Sequence, residues 1–242
     1  MPFQIFSGIY DTFEETRAND RPFESAGWFD NVREKVRQAY ERGMVDEQYV
    51  LPLLAALAGQ NERITILDFG GGVSAIYPQV LDALPTGTQL DFHVVDTAAS
   101  CREGRDCHRG DNRIQFHEQL PDNLQDIQIV HLGSVLQYID DWQGLLRTLA
   151  KLQADYMLIS DAMVGPFASF VTVQDYYGQK IPFRFTNLDE LVQFFDGQLD
   201  YRLCYKSKYL PSIQGTKGFY KMDNFSQPYR LELSSHLLFK RK

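Results

Sequence analysis

Asp68 and Asp96 stand on either side of the run Gly70-Gly71-Gly72-Val73-Ser74-Ala75. Glycines that follow an apolar stretch let a ligand lie against bare backbone, because no Cβ blocks its approach. An ionised carboxylate offers acceptor oxygens and no donor, which suits the paired hydroxyls of a ribose. Together these residues form a set for a nucleotide-like ligand. Gly70-x-Gly72-x-x-Ala75 fits the dinucleotide fingerprint, with Asp96 at about its expected distance downstream. Asp68 bears on the ligand's charge. It would repel an anionic pyrophosphate and attract an ammonium, by an energy on the order of several kcal/mol in a partly buried site. A ligand with cationic groups is therefore favoured, and an NAD-dependent oxidoreductase or epimerase is the alternative.

Two further residues stand where strands are predicted to end, and either could serve as a general base. His131 shares parity with Ile127 and Ile129, which predicts that it is buried. Asp161 follows an apolar strand directly, though it could equally cap the next turn. Tyr10, Tyr138, Tyr176 and Tyr177 could shape an acceptor pocket or stack on a sugar ring, and could as readily be core or cover. Cys101, Cys107 and His108 match no standard zinc spacing, so no metal is expected.

These groups need elements to position them. Ile64 to Phe69 reads as a buried strand, followed by a helix whose face is Ile76, Val80, Leu81 and Leu84. Strands are then predicted at Leu90–Val95, Arg113–His117, Ile127–Leu132 and Tyr156–Ser160. A helix capped by Asp140 presents Trp142, Leu145, Leu146, Leu149 and Leu152. Thr186-x-x-Asp189 has the form of a capping box, and late strands are expected at Leu199–Tyr205 and His236–Lys240. Alternating strands and helices imply a parallel α/β sheet. Ahead of it, Trp28, Val32, Val36 and Tyr40 mark an amphipathic helix stopped by Gly43, and a second helix is expected from Asp46 to Ala58, bent at Pro52. We divide the chain at residue 60. Residues 1–60, with their aromatic first segment, form a strap or lid packed on the core, and residues 61–242 form the ligand-binding domain.

Composition narrows the function classes. The chain has 242 residues, 44% apolar and 23% charged, and a net charge of −8. No massed basic surface is present to neutralise phosphates, which argues against nucleic acid as a partner. The longest apolar stretch, Val50 to Ala58, is far short of the roughly 20 residues that span a bilayer. No basic-then-apolar leader is visible, and three cysteines make no disulfide framework. The cytoplasm is the expected compartment. Nothing in the sequence fixes an oligomeric state.

Ile66-Leu-Asp-Phe-Gly-Gly-Gly72 resembles the first motif of class I S-adenosylmethionine (SAM) methyltransferases. Val94-Val-Asp96 resembles their second-strand acidic end, and Val130 to Asp141 resembles the fourth-strand motif of their small-molecule members. Ile5 to Tyr10, the Asp-Phe-Gly-Gly-Gly turn and Pro182 to Asn187 resemble a bacterial family often linked to surface-polysaccharide genes. The resemblance implies a doubly wound, Rossmann-like, seven-stranded sheet with an N-terminal helical extension. It implies S-adenosyl-L-methionine as cofactor and a small polar acceptor, with a sugar or glycan-precursor hydroxyl as first choice. Asp68 would then lie near the methionine ammonium, Gly70, Gly71 and Gly72 under the cofactor, and Asp96 at the ribose. Thr97 and Glu118 would flank the adenine, and Gly133 and Ser134 would face the crevice. The chain departs from the family at Ser74, where a third glycine is usual, and in His117-Glu-Gln-Leu-Pro121. These departures keep open a non-catalytic partner subunit of the same fold.

Overall fold

A computed structural model describes residues 5–18, 23, 25–42, 50–59, 63–176, 178–213 and 216–242. Gly43, residues 46–49 of the expected second helix, and Tyr177 lie outside the described residues. The chain opens with strand β1 (Phe6–Tyr10) and helices α1 (Ala26–Arg42) and α2 (Val50–Ala58). It then alternates: β2 (Arg63–Phe69), α3 (Tyr77–Ala83), β3 (Gln89–Val95), α4 (Ala98–Cys107), β4 (Ile114–His117), β5 (Ile129–Gly133), α5 (Trp142–Ala150) and β6 (Tyr156–Ala162). After β7 (Val164–Gly165), β8 (Phe170–Tyr176) and β9 (Gln179–Asn187) come α6 (Leu188–Gln198) and β10 (Tyr201–Tyr209). The short β11 (Ser212–Ile213) and β12 (Thr216–Lys217) precede β13 (Ser234–Arg241).

Seven strands form the main sheet in the order β10-β13-β6-β5-β2-β3-β4. β13 pairs antiparallel with both β6 and β10, whereas the pairs from β6 to β4 are parallel. One face is packed by α2, α3 and α4 through Leu51, Leu54, Val80 and Cys101 against Ile64, Ile66, Phe92 and Val94. The other is packed by α5 and α6 through Leu146, Leu149, Leu191 and Phe195 against Leu67, Val130, Leu132 and Phe239. Strands buried on both faces read as near-continuous apolar runs, and β2 and β5 do so. The strand order reverses between β2 and β5. That switch point splays the loops after the two strands apart and opens a crevice at their carboxyl ends.

Two predicted caps shift by one residue. Asp141, not Asp140, caps α5 by accepting from the Gly144 amide at 2.8 Å. Asn187, not Thr186, caps α6 by accepting from the Glu190 amide at 2.9 Å. A second sheet, β1-β8-β9-β7, was not expected from the sequence. Phe6, Phe170, Phe183 and Phe185 give it an aromatic core of its own, closed by Met222 and Phe225. Among the described residues, no helix is long and apolar enough to cross a membrane.

α1 buries Phe29, Val36 and Ala39, while Tyr40 at its end is 46% exposed and contributes mainly its hydroxyl. That hydroxyl lies 2.8 Å from His108 Nδ1, and His108 Nε2 lies 2.8 Å from the Val73 carbonyl. A carbonyl only accepts, so Nε2 carries the hydrogen and Nδ1 accepts from Tyr40. Burial lowers the His108 pKa, which keeps the ring in this neutral form. One imidazole thus ties α1 to the glycine loop. Tyr40→Phe removes the tie at a cost of about 1 kcal/mol, a typical net hydrogen bond. Hydrogen exchange should speed up in α1 and leave β2 unchanged.

Candidate functional site

The register of β2 on β5 sets Asp68 directly opposite His131. Asp68 Oδ1 lies 2.8 Å from His131 Nδ1, and both side chains are buried. A carboxylate only accepts, so His131 Nδ1 carries the hydrogen. His131 Nε2 lies 3.0 Å from Ser160 Oγ, one strand further across the sheet. The Ser74 hydroxyl reaches Asp68 Oδ2 at 3.4 Å. Asp68, only 1% exposed, is therefore met by protein on both oxygens. Its charge acts on the crevice through the loop above it rather than by an open face.

The loop above follows from local sterics. Gly70 and Gly72 hold φ of 70° and 60°, a region glycine enters without penalty. A Cβ on Gly70 would overlap Val135, and one on Gly71 would overlap the Asp68 carboxylate. Ser74 takes φ 55°, the left-handed conformation that a glycine would adopt there, and turns its hydroxyl towards Asp68. The departure from the usual third glycine therefore preserves the turn. Gly70→Ala combines a strained φ with a clash and should lower stability by roughly 2 kcal/mol or more, within the range for left-handed strain. A thermal melt of the variant would read it.

Asp96 follows β3 and binds the same loop. Its Oδ2 accepts from the Gly72 amide at 2.9 Å and its Oδ1 from the Thr97 amide at 2.7 Å. Each oxygen keeps a lone pair. Thr97 caps α4 by accepting from the Ser100 amide. Glu118 stands exposed just beyond β4. Trp28 of α1 covers this loop, since a Cβ on Gly72 would come within 3.3 Å of its ring. Cys101 contacts the Asp96 and His117 carbonyls through its Sγ, and His108 faces Val73, so these two groups turn to different partners.

A cleft of about 540 Å³ runs from the glycine loop, past His131 and Ser134, to the second sheet. Its deep end holds Asp161, which lies inside β6 rather than after it and takes φ 54°. Ser134, across from it, takes φ 53° and donates to Asp161 Oδ2 at 2.6 Å. The Ser234 hydroxyl donates to Asp161 Oδ1. The Asp161 amide lies 3.3 Å from His236 Nδ1. Burial pushes the Asp161 carboxyl above its ordinary value, against the two hydroxyls that lower it. Two non-glycine residues in left-handed backbone, facing each other across one cleft, are strain of the kind that gathers at working sites.

The aromatic wall beside Asp161 consists of Tyr138, Tyr176, Tyr209 and Tyr220. Tyr138 donates to Gln174 Oε1 at 2.8 Å, and burial raises its phenol well above the usual range. Phe23 packs edge-on to Tyr138, with ring centroids 4.8 Å apart, so the N-terminal segment closes on this wall. Tyr10 does not line the cleft; its ring folds back on Gly8 at the far end of β1. The cleft thus brings together Asp68, Gly70, Gly71, His131, Gly133, Ser134, Tyr138, Asp161 and Tyr176, whereas Gly72, Asp96, Thr97 and Glu118 do not line it and stand after β2, β3 and β4, with Asp96 joined to the loop through the Gly72 amide. Lys35, Gln79, Tyr220, Ser234 and His236 were not singled out from the sequence. Ser234 and His236 share one parity on β13, which is their single legible signal.

A sheet of this order, with one antiparallel strand and a glycine loop at its switch point, defines the Rossmann-like class I methyltransferase fold. The chain belongs to the family described as methyltransferase domain, whose match covers residues 39–199. No curated protein matches it significantly in sequence. Among solved structures, magnesium protoporphyrin IX methyltransferase from Synechocystis PCC 6803, with bound SAM, is similar at 15% identity. It covers 91% of this chain and 93% of its own, with a TM-score of 0.54. A 1,6-didemethyltoxoflavin-N1-methyltransferase from Burkholderia thailandensis, with its substrate and S-adenosylhomocysteine, is 13% identical. That match covers 93% and 94% of the two chains, with a TM-score of 0.54. A SAM-dependent methyltransferase from Clostridium acetobutylicum is 9% identical, covering 88% and 98%, with a TM-score of 0.53. At these identities the likeness is one of fold.

Proposed function

We propose that this protein is a cytoplasmic SAM-dependent methyltransferase acting on a small polar acceptor, a sugar or glycan-precursor hydroxyl, in the assembly of a surface polysaccharide. The observation that carries the reading is that one crevice joins the glycine loop to a desolvated carboxylate, Asp161, with Asp96 holding the loop at its Gly72 amide. The residues fit the cofactor. Gly70 and Gly71 bring bare backbone to the cleft, Asp96 keeps free lone pairs, and the cleft holds an orphaned buried acceptor, Gln79 Oε1.

In this reading Asp96 accepts both ribose hydroxyls, and Gly70, Gly71 and Gly72 admit the cofactor to the backbone. Thr97 and Glu118 border the adenine, with Gly133 and Ser134 below the reacting end. The cofactor supplies an electrophilic methyl group and a good leaving group. The chain's task is to hold acceptor oxygen, methyl carbon and sulfur in line, with reacting atoms roughly 3 to 3.5 Å apart. Asp161 would take the acceptor hydroxyl's proton, freeing an oxygen lone pair for the methyl group as that group's bond to sulfur breaks. His131 fixes Asp68 beneath the loop, and its pairing with Asp68 and Ser160 makes it a positioning residue rather than the base. Tyr138, Tyr176, Tyr209 and Tyr220 offer stacking faces and hydroxyls, a combination suited to a sugar ring. Within residues 1–60, Phe23 and Trp28 close over Tyr138 and Gly72 as a lid while β1 and α2 strap the segment to the two sheets, and residues 61–242 form the catalytic domain.

The test uses the full chain. S-adenosylhomocysteine should raise the melting temperature and NAD should not. Incubation with SAM and a panel of nucleotide sugars should give a product heavier by one methylene. Stabilisation by NAD alone would overturn the reading. Binding of S-adenosylhomocysteine without turnover of any small acceptor would point instead to a partner subunit.

A further inference from the structure

α1 carries a cation that has no ion-pair partner among the described residues. Its acids are taken by its arginines: Arg33 pairs with Asp30 and Glu103, and Arg37 with Glu34 and Glu41. Lys35 sits between them in sequence but shares with Val32 and Ala39 the side of α1 that lines the cleft. Among the described residues no carboxylate lies within ion-pair distance of it. Its side chain reaches solvent, yet the surrounding protein still lowers its pKa. In a chain of net charge −8, an unpartnered lysine at a cleft wall marks a place for an anion.

The same wall carries the opposite need. Gln79 of α3 is 5% exposed and lines the cleft beside Gly70, Gly71 and Ile76. Its Oε1 is buried and accepts no hydrogen bond. Buried acceptors are normally met, so this one awaits a donor. Asp68, the obvious acceptor for a ligand ammonium, is only 1% exposed, and its oxygens face His131 and Ser74. One wall thus offers a cationic donor and a neutral acceptor, the complement of an α-amino acid zwitterion.

We propose that Lys35 and Gln79 clamp the amino-acid end of the cofactor, Lys35 Nζ donating to the carboxylate and Gln79 Oε1 accepting from the α-ammonium. This rests on the methyltransferase reading above and assigns the residues that select an intact methionine end. The clamp also couples the lid to the ligand, because Lys35 arrives on α1 and Gln79 belongs to the core.

Calorimetry on the full chain separates the parts with three ligands. S-adenosylhomocysteine has both end groups, decarboxylated SAM keeps the ammonium (with its sulfonium) but no carboxylate, and methylthioadenosine has neither end group. Lys35→Met should weaken S-adenosylhomocysteine about tenfold, as expected for a lost charge-assisted hydrogen bond. It should leave the other two ligands unchanged, and Lys35→Arg should retain most of the affinity. Gln79→Leu should weaken S-adenosylhomocysteine and decarboxylated SAM alike and spare methylthioadenosine. The clamp is overturned if Lys35→Met binds S-adenosylhomocysteine as tightly as the parent, or if it weakens all three ligands equally. Failure of the parent itself to bind any adenosyl ligand would sink the clamp together with the methyltransferase reading.

Discussion

Asp161→Asn is expected to lower the rate of methyl transfer by roughly 10²- to 10⁴-fold, the usual contribution of a positioned general base. The substitution keeps shape and removes the charge, so affinity for S-adenosylhomocysteine should stay as it is. Burial raises the Asp161 carboxyl above an ordinary aspartate. In the parent, the rate should therefore rise with pH along a limb set above the normal carboxylate range, and the variant should lose that limb. Stability should move the other way. A raised folded-state pKa means that the folded chain holds this proton more tightly than the unfolded chain does. Stability is then lost as pH climbs from the ordinary aspartate value through the raised one, and the penalty persists at neutral pH. Asp161→Asn removes that penalty, so its melting temperature at pH 7 should equal or exceed the parent's. A variant that is nearly inactive and no less stable marks a residue kept for chemistry. Full activity in the variant would remove Asp161 from the mechanism.

Asp68→Ala should have the largest effect on stability. It strips the acceptor from His131 Nδ1 and from the Ser74 hydroxyl, and all three residues are buried. A buried donor left unpaired, or a broken buried pair, costs roughly 3 kcal/mol. For a chain of this size that corresponds to a melting temperature lower by about 6 to 12 °C. The glycine loop rests on the same carboxylate, so S-adenosylhomocysteine should also cease to stabilise the variant. Asp68→Asn keeps an acceptor oxygen for His131 and should fall between the two. Equal melting temperatures for Asp68→Ala and the parent would show that His131 and Ser74 find other partners.

The half of the molecule around the glycine loop was legible because its signals are local. An apolar strand, a glycine turn and a helix start lie within one short window, and the same grammar repeats through β6. The caps were read one residue early for a physical reason. Asp140 and Asp141, like Thr186 and Asn187, can each cap, and backbone geometry alone decides which side chain turns inward. The second sheet was not legible. β1 has no partner near it in sequence, and β8 and β9 lie between two predicted strands of the main sheet. Parity foretold that His131 would be buried, but only the β2–β5 register supplied its partner. The environment of Asp161 was invisible for a similar reason: Ser134 follows β5 and Ser234 opens β13, 27 and 73 residues away. Lys35 read as one more charge on a solvated helix, since spacing gives no hint that the arginines beside it consume every described acid on α1.

β1 finds its place only through contacts made very late. The Thr172 hydroxyl donates to the Ser7 and Gly8 carbonyls, across 165 and 164 residues of chain. At ribosomal speeds of about 5 to 20 residues per second, the opening segment waits roughly 8 to 33 s for the strand that will receive it. For that interval Phe6 has none of the aromatic neighbours that later enclose it. β13 then wedges between β6 and β10, both of which precede it in the chain, so the main sheet stays incomplete until β13 has been made. Newborn copies truncated before β13 would carry a sticky, unpaired sheet margin, and quality-control machinery should find them easily.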